Sequence, residues 1–293
     1  EDLPPPLPEE GFQMGIDTTV RPGGEIWRCF VADLPTTGPT PVNRVHAMQT
    51  RGVHHMDVMA LGLLDLDLEP GMYECDELYA NHPEMMEDGI FIFASQNEEE
   101  VLELPEGVAA LLPGGLRVMV EIHYVNPTPN WVDVWSRVNA YRITEPVRDQ
   151  IWGSAVRDQD INVPPGATEH IEWTRCVMNT SVDMVLLSTH THELARRIEV
   201  FRFDGEHTGE LLYANDDWHA PELKLYDPPM PIARGTGFEF RCHYRNPRST
   251  EAHWGFTAAD EMCQIGFVHT PFLLNATCEV VESGAGTNAL PPD

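Results

Sequence analysis

Proline and glycine interrupt this chain at short intervals and leave few long helical periods. The sequence contains 25 prolines and 22 glycines, which separate short runs rich in β-branched and aromatic residues, as strands require. Examples of these runs are 116–125, 183–191 and 198–203. Strand-like runs do not alternate with helical ones, which argues against a parallel α/β sheet. The pattern therefore predicts an all-β protein with antiparallel β-sandwiches.

The length of the chain sets its domain organisation. At 293 residues it can form about two domains of some 150 residues, each with its own core. A break near Thr144-Glu145-Pro146 separates the halves. We therefore predict tandem domains at 17–145 and 146–283. The proline-rich segment 1–16 and the tail 284–293 are expected to be extended or disordered.

The charge of the chain limits its possible binding partners, and its cysteine content indicates its cellular compartment. Lys and Arg total 18 against 47 Asp and Glu, a net charge of −29, which repels nucleic acid and anionic membranes. No apolar run reaches the roughly 18 residues of a membrane span, and the first residues lack a signal core, so we expect a mature or trimmed chain. Six cysteines without a Cys-x-x-Cys pair predict a secreted protein, either extracellular or periplasmic.

A His-x-His pair and a methionine carry the strongest chemical signal. On a strand, His190 and His192 share one face, whereas helical spacing would splay the two rings by about 200°. Met262 lies in the run Asp260-Glu261-Met262-Cys263. A lone methionine more often fills a core gap, but thioether sulfur beside two imidazoles suits Cu(I). These residues predict a copper site and oxygen chemistry ahead of hydrolysis.

A second histidine cluster lies in the first half of the chain. His54 and His55 are adjacent, and His123 lies in the run Glu121-Ile122-His123-Tyr124. A regular strand sends neighbouring side chains to opposite faces, so a shared site at His54 and His55 requires a twist or bulge. Taken alone, His123 could equally be a hydrogen-bonded core histidine. Together the three imidazoles predict a second metal centre.

Four motifs in this order resemble one family. Their order and approximate spacing are similar to those of the ascorbate-dependent type II copper monooxygenases, the family of peptidylglycine α-hydroxylating monooxygenase and dopamine β-monooxygenase. The resemblance spans roughly 17–283 and is carried by Val53-His54-His55-Met56, Glu121-Ile122-His123-Tyr124, His190-Thr191-His192 and Asp260-Glu261-Met262-Cys263. It implies two jelly-roll-like β-sandwiches and a hydroxylating enzyme.

The resemblance also implies cofactors and residue roles. Two copper ions per chain would react with O2, and ascorbate would be the reducing cosubstrate. His190, His192 and Met262 would hold the catalytic copper, where O2 meets a small-molecule substrate. His54, His55 and His123 would hold a copper that stores and delivers an electron.

Disulfide pairing follows from the resemblance as well. Six cysteines allow about 15 pairings. The family pattern implies Cys29–Cys75, Cys176–Cys278 and Cys242–Cys263, each within one domain. The last bridge would anchor the residue that directly follows Met262.

The substrate residues depart from the family pattern. The peptide-hydroxylating member places an arginine two residues before its His-x-His and a tyrosine four after its methionine, and both hold a peptide carboxylate. Here those positions are Ser188 and Gly266, so C-terminal glycine peptides are not the expected substrates. Gln264 is an expected polar contact. Glu193 or Glu121 would favour a cationic or neutral substrate, unless they orient neighbouring groups.

Three other classes compete with a hydroxylase. A non-catalytic secreted or periplasmic copper-binding protein would keep the ligands but not the substrate pocket. A zinc hydrolase could use three histidines, but the methionine would then serve no purpose. A blue-copper protein needs a cysteine thiolate, and Cys263 is better explained as a disulfide partner.

Overall fold

A computed structural model describes residues 2–62, 64, 66, 68–85, 90–255, 257 and 259–286. The chain divides into two compact units, Glu1–Gln150 and Ile151–Asp293. Nearly all of the regular structure is β, which confirms the predicted all-β class. The first unit extends past residue 145, where we placed the domain boundary, because strand Asp149–Gln150 pairs with Val108–Leu112 of the same unit.

Unit 1 consists of two sheets around one core. The first sheet contains β1 (Gly11–Val20), β3 (Thr40–Gln49), β7 (Glu99–Glu103), β8 (Val108–Leu112), β10 (Val132–Arg142) and β11 (Asp149–Gln150). The second contains β2 (Glu25–Asp33), β4 (Val53–Ala60), β5 (Gly71–Glu74), β6 (Ile90–Ser95) and β9 (Arg117–Val125). Apart from the parallel β8–β11 pair, the described pairings in these sheets are antiparallel. Side chains of both sheets share one buried cluster, as in a β-sandwich.

Alternation along β9 explains how one strand serves both the core and a site. Val118, Val120 and Ile122 point into the core between the sheets. The opposite face carries Glu121 and His123 and is covered in part by helix α1 (Cys75–Asn81). This outer face of β9 is therefore available for polar side chains.

The N-terminal segment is more ordered than the sequence predicted. Strand β1 begins at Gly11, inside the segment 1–16 that we expected to be extended or disordered. Before it, the backbone carbonyls of the buried Leu3 and of Pro4 accept hydrogen bonds from side chains. Gln13 Nε2 donates to Leu3 O at 2.8 Å, and Asn139 Nδ2 donates to Pro4 O at 2.8 Å. At the other end, β22 (Cys278–Ala285) includes the first residues of the predicted tail, and 287–293 lie outside the described residues.

Unit 2 is also built from two main sheets. One contains β12 (Trp152–Arg157), β15 (Val182–Thr191), β18 (Lys224–Ile232) and β21 (Cys263–Thr270). The other contains β14 (His170–Met178), β16 (Ala195–Phe203), β17 (Thr208–Asn215), β19 (Gly237–Tyr244) and β22. A short pair adds β13 (Asn162–Val163) and β20 (Ala252–His253). The two main sheets pack through one apolar cluster that includes Leu187, Phe240 and Phe267.

Three disulfides reinforce the sandwiches. They are Cys29–Cys75 in unit 1, and Cys176–Cys278 and Cys242–Cys263 in unit 2, the pairs that the resemblance implies. Each bridge typically contributes about 2–4 kcal/mol to stability. In the part of the chain that the structure describes, no helix has the length and apolar character needed to cross a membrane.

Candidate metal centres

The three histidines of unit 1 meet because β4 is irregular at its start. Val53 pairs with Tyr124, and His55 pairs with His123, so the register shifts and His54 is the extra residue. This shift is the irregularity that adjacent histidine ligands require. The ring centroids of His54, His55 and His123 lie 5.2–5.5 Å apart. One nitrogen of each ring lies within 4.8 Å of the other two, close enough for one ion.

Two carboxylates define which nitrogens face the cluster. His55 Nε2 lies 3.0 Å from Glu121 Oε1, and His123 Nε2 lies 2.7 Å from Glu25 Oε1. Because a carboxylate accepts, each Nε2 carries the proton and each neutral ring keeps its lone pair on Nδ1. The Nδ1 atoms of His54 and His55 lie 3.0 Å apart. The geometry thus presents Nδ1 as the ligand atom of His55 and His123.

Glu121 is the buried anchor of this centre. Its carboxylate accepts hydrogen bonds from His55, from Trp27 Nε1 at 2.5 Å and from the Tyr79 hydroxyl. Burial opposes ionisation, yet these donors lower the pKa of Glu121 below its usual value. His55, Asp57 and Glu121 also lie close enough to form an overlapping metal group. We favour the three-histidine group because Glu121 already accepts three hydrogen bonds. Its position favours the role of orienting His55 over that of selecting a substrate.

Burial and hydrogen bonding shift the pKa values of three residues at this centre in different directions. Burial lowers the pKa of His123, which keeps the ring neutral and able to bind a metal. Burial would also lower the pKa of His55, but its hydrogen bond to Glu121 raises it overall. Burial raises the pKa of the nearby Asp57 to about 7.

The histidines of unit 2 lie at one end of β15. His190 is inside the strand, and His192 directly follows it. Their ring centroids are 5.1 Å apart at an interplanar angle of 86°, and both side chains lie on one face of the strand. His192 Nδ1 lies 3.0 Å from the carbonyl oxygen of Asp260. The carbonyl can only accept, so the neutral His192 ring presents Nε2 as its ligand atom.

Several connections hold Met262 beside this strand end. Met262 is buried and directly precedes β21, in which Cys263 pairs with Thr191. The hydroxyl of Tyr244 donates to Met262 O at 2.7 Å, and the Cys242–Cys263 bridge anchors the next residue. Thus the hydrogen bond from His192 to Asp260, the strand pairing and the disulfide bring both histidines and the methionine to one end of the β15–β21 pair.

Glu261 adds a further connection between the two segments. Its Oε1 accepts the backbone N–H of Leu194 at 2.7 Å, two residues after His192. The side chain is completely buried. Burial raises the pKa of Glu261 to about 7, although backbone hydrogen bonds from Leu194, His192 and Met262 oppose that rise. The residue before the candidate sulfur ligand therefore holds the loop that follows the candidate imidazole ligands.

The three predicted substrate residues lie beside this centre on β15 and β21. Gln264 pairs with His190, and Ser188 pairs with Gly266. Ser188 Oγ donates to Gly266 O at 3.2 Å. A Cβ added at Gly266 would meet Ser188 Oγ at 2.8 Å and no other described atom within 4 Å outside its chain neighbours. This part of the sheet face is therefore open.

Sequence reasoning missed Arg157. Its Nε donates to Gln264 Oε1 at 2.7 Å, from the neighbouring strand β12. No local motif marks this arginine, and only the strand register places it here. By contrast Glu193, which the sequence offered as a charge that selects the substrate, is exposed and lies 3.3 Å from Arg248.

The donor sets fit copper. Three imidazoles in unit 1 suit either copper oxidation state, and two imidazoles with a thioether in unit 2 suit a site that must stabilise Cu(I). The carboxylate and carbonyl partners of His55, His123 and His192 are the outer contacts that orient metal-binding histidines.

Comparisons with known proteins bear on unit 2. Residues 152–285 match the family model described as copper type II ascorbate-dependent monooxygenase, C-terminal domain. No curated protein sequence matches the chain. A solved structure described as showing the substrate binding mode and reaction-specificity switch of oxalate decarboxylase is 8% identical. That match covers 90% of this chain and 69% of the other, with a TM-score of 0.13, which is too low to bear on the fold.

Proposed function

We propose that the whole chain is a dicopper monooxygenase, because residues 152–285 match the family model of the C-terminal domain of copper type II ascorbate-dependent monooxygenases. It uses O2 and a one-electron reductant such as ascorbate to hydroxylate an aliphatic C–H of a small organic substrate. C-terminal glycine peptides are not its substrates.

The observation that carries the proposal is the three-histidine cluster of unit 1. This cluster lies outside the segment that matches the family, so it supports the proposal independently. Hydroxylation by O2 consumes two electrons from the reductant, and a copper in unit 1 would store one of them. One nitrogen of each of the three rings lies within 4.8 Å of the other two, and Glu121 and Glu25 contact Nε2 of His55 and of His123.

When bound, copper would supply one-electron chemistry in unit 1 and O2 activation in unit 2. The protein's part is to hold the ligands. His190, His192 and Met262 would form the unit 2 site, and the thioether would favour Cu(I). The Asp260 carbonyl orients His192, while Cys242–Cys263 and Tyr244 hold the segment of Met262.

The open face beside His190 is where a substrate would lie. Ser188 and Gly266 are small, and Gln264 is a polar contact next to the imidazole. Neither Ser188 nor Gly266 can replace a charged or phenolic group that binds a peptide carboxylate. The same loss also fits the second candidate, a non-catalytic copper-binding protein on this scaffold.

Three disulfides fit an extracellular or secreted protein. The proposed location is therefore outside the cytoplasm, either extracellular or periplasmic, where copper and oxygen chemistry would take place on a folded, oxidised chain.

The test is metal stoichiometry combined with oxygen uptake. After copper reconstitution and exhaustive dialysis, elemental analysis should find two coppers per chain, about one in His123→Ala, and a weakened second copper in Met262→Ala. Met230→Ala and His207→Ala are matched controls, because neither residue lies in the two centres. Ascorbate-driven oxygen uptake should rise with substrates that carry activated C–H bonds.

The outcomes separate the alternatives. Two coppers without substrate-dependent oxygen uptake across a broad library would favour the copper-binding protein. A single ion, or zinc held in preference to copper, would overturn the dicopper proposal and favour a hydrolase.

A further inference from the structure

Three neighbouring strands of unit 2 place a histidine and two methionines in one row. His269 of β21 pairs with Met184 of β15, and Met184 pairs with Met230 of β18. Directly paired residues in antiparallel strands project from the same face, with Cβ atoms about 4.5–5.5 Å apart. Met184 belongs to the apolar cluster between the two main sheets, and Met230 packs against that cluster. The row therefore faces the interior of the sandwich.

This row is separate from the unit 2 centre. Along β21, His269 is five residues from Gln264, the residue that pairs with His190. At about 3.4 Å per residue, that separation is about 17 Å. The row also lies on the other face of the strand, because His269 alternates with Val268 and shares the core side with Phe267.

The imidazole of His269 is the observation that points to a ligand. The side chain is completely buried, and its Nδ1 lies 3.2 Å from the carbonyl oxygen of Pro271. The carbonyl can only accept, so Nδ1 carries the proton and Nε2 keeps its lone pair. Among the described residues, no group forms a hydrogen bond with Nε2. A buried polar atom without a partner destabilises a fold, so packing alone does not account for a histidine here.

His269 repeats the arrangement of His192. In both residues Nδ1 donates to a backbone carbonyl, which leaves Nε2 as the ligand atom. Such a contact is typical of histidines that bind metals, because it fixes the tautomer and the orientation of the ring. Burial also lowers the pKa of His269, which keeps the ring neutral.

The donor types select the metal. A methionine in a core usually only fills space, but here two methionines stand in line with an imidazole that has an available lone pair. Two thioethers and one imidazole form a soft set that suits Cu(I) better than Zn(II) or Cu(II). The flexible methionine side chain lets the sulfur adapt to an ion. Trp152 pairs with His269 on the other side, and the face of an indole ring attracts cations.

We propose that His269, Met184 and Met230 bind one Cu(I) ion at a third metal site, inside the core of unit 2. Met230 is only partly buried, so the ion would enter from its side of the row. The site would hold reduced copper as a reserve for the two centres. The inference does not depend on the proposed hydroxylation, because the site shares no ligand with either centre.

Copper in its oxidised form should not fill this site, since thioethers bind Cu(II) weakly. Reconstitution with Cu(II) in air should therefore still give the two coppers per chain expected above, and Met230→Ala remains a control in that test. The third ion should be seen only when copper is supplied as Cu(I).

The experiment titrates the metal-free full chain with Cu(I) under anaerobic conditions, in competition with a chromophoric Cu(I) chelator. The wild type should bind one Cu(I) more than His269→Leu, whatever number the two centres hold. Met184→Leu and Met230→Leu conserve side-chain volume, which cores tolerate, and each should weaken this ion about tenfold or more because one soft ligand is lost. Met14→Leu, a change of a buried methionine in the core of unit 1, is the matched control and should bind as the wild type does.

Two further readouts identify the ligands. In the full chain with 13C-labelled methionine methyl groups, redox-inert Ag(I) should shift the NMR signals of Met184 and Met230, and Zn(II) should not. In Met262→Ala, where the thioether of the unit 2 centre is removed, X-ray absorption of the Cu(I)-loaded chain should still show copper–sulfur scattering. Adding Met184→Leu and Met230→Leu to that variant should abolish the scattering.

Equal Cu(I) stoichiometry in the wild type and in His269→Leu would overturn the third site, as would signals of Met184 and Met230 that Ag(I) leaves unmoved. If His269→Leu does not fold, the two leucine variants decide, and unchanged Cu(I) affinity in both would refute the inference. An equal loss of affinity in Met14→Leu would also refute it, because the effect would then come from general changes in packing.

Discussion

The backbone N–H of Leu194 donates to Oε1 of Glu261 at 2.7 Å, and this contact helps to join the segment after His192 to the residue before Met262. Cys263, on the other side of Met262, is held by its bridge to Cys242. The residues on both sides of Met262 are therefore held in place, Glu261 by its hydrogen bond and Cys263 by its disulfide. We expect the spacing between the imidazoles and the sulfur to depend on Glu261.

Removing the Glu261 carboxylate should loosen the unit 2 centre. In Glu261→Ala the buried Leu194 N–H loses its acceptor, which costs about 1–3 kcal/mol of stability. Cu(I) affinity at this centre should fall about 10–100-fold, the usual effect of losing an outer partner. Glu261→Gln keeps an acceptor oxygen and should lose less. Chelator competition measures the affinity, and the exposed Glu251→Ala is the control. Unchanged Cu(I) affinity in Glu261→Ala would show that the contact does not position Met262.

The corresponding change in unit 1 is Glu121→Gln. The amide keeps the size of the side chain but removes the negative charge that His55, Trp27 and Tyr79 contact. Copper affinity of unit 1 should fall about tenfold or more, with altered hyperfine splitting in the Cu(II) paramagnetic resonance spectrum. Glu103→Gln, on an exposed position of β7, should change neither. A normal spectrum and affinity in Glu121→Gln would contradict the orienting role.

Met262→His tests what the thioether contributes. Imidazole is a good copper ligand in both oxidation states, so the variant should keep metal at this centre. It should lose most substrate hydroxylation, because the soft sulfur that favours Cu(I) is gone. Elemental analysis and product formation are measured together. Full activity in Met262→His would remove Met262 from the assignment.

Asp158 predicts a dependence of unit 2 stability on pH. It is buried, and burial raises its pKa to about 6, whereas an unfolded aspartate titrates near about 3.9. The folded state therefore binds the proton more tightly. The contribution of this group to the free energy of unfolding is highest below about pH 4 and falls by about 2–3 kcal/mol as pH rises to about 6 and above.

Asp158→Asn should abolish this fall. The variant should be more stable than the wild type at neutral pH and about equally stable near pH 4, as measured by urea unfolding at each pH. Asp183→Asn, on an exposed position of β15, is the control and should follow the wild type. If Asp158→Asn keeps the wild-type pH dependence, the ionised Asp158 does not destabilise the fold.

The net charge of the chain predicts how the rate of copper reduction by ascorbate should change with salt concentration. The chain carries a formal charge of −29, and Glu25 and Glu121 contact the unit 1 cluster. Ascorbate is an anion at neutral pH and should be repelled over distances that salt screens, about 10 Å at 0.1 M. Its rate of reducing the copper-loaded protein in stopped flow should therefore rise about three- to tenfold from low to high salt. Uncharged hydroquinone should show little change, and a rate for ascorbate that falls with salt would contradict repulsion.

Local pattern in the chain was sufficient for the fold class and for pairing His190 with His192, whereas Met262 was added through the resemblance to the copper monooxygenases. Frequent proline and glycine exclude long helices wherever they occur, and two histidines with one residue between them share a face on any strand. Both properties depend only on neighbours along the chain, so His190 and His192 could be paired before any fold was known.

Other features depended on contacts between distant residues. The bulge that brings His54 and His55 together arises from the pairing of β4 with β9. Glu121 has three donors only because Trp27, Tyr79 and His55 converge on it from separate elements. The boundary of unit 1 lies at Gln150, beyond the predicted 145, because a two-residue strand pairs back onto β8.

Sequence alone therefore determined the β class, which follows from composition and short-range pattern. It also determined the likeness to a copper monooxygenase and the residue types at the two centres, which follow from four motifs in that family's order. Tertiary structure alone decided that Arg157 stands beside Gln264 and that Glu261 holds Leu194. Strand register joins Arg157 and Gln264, which are 107 positions apart, and the contact between Glu261 and Leu194 joins two connecting segments 67 positions apart. Register is set by packing and hydrogen bonding across whole sheets, which no local stretch of the chain encodes.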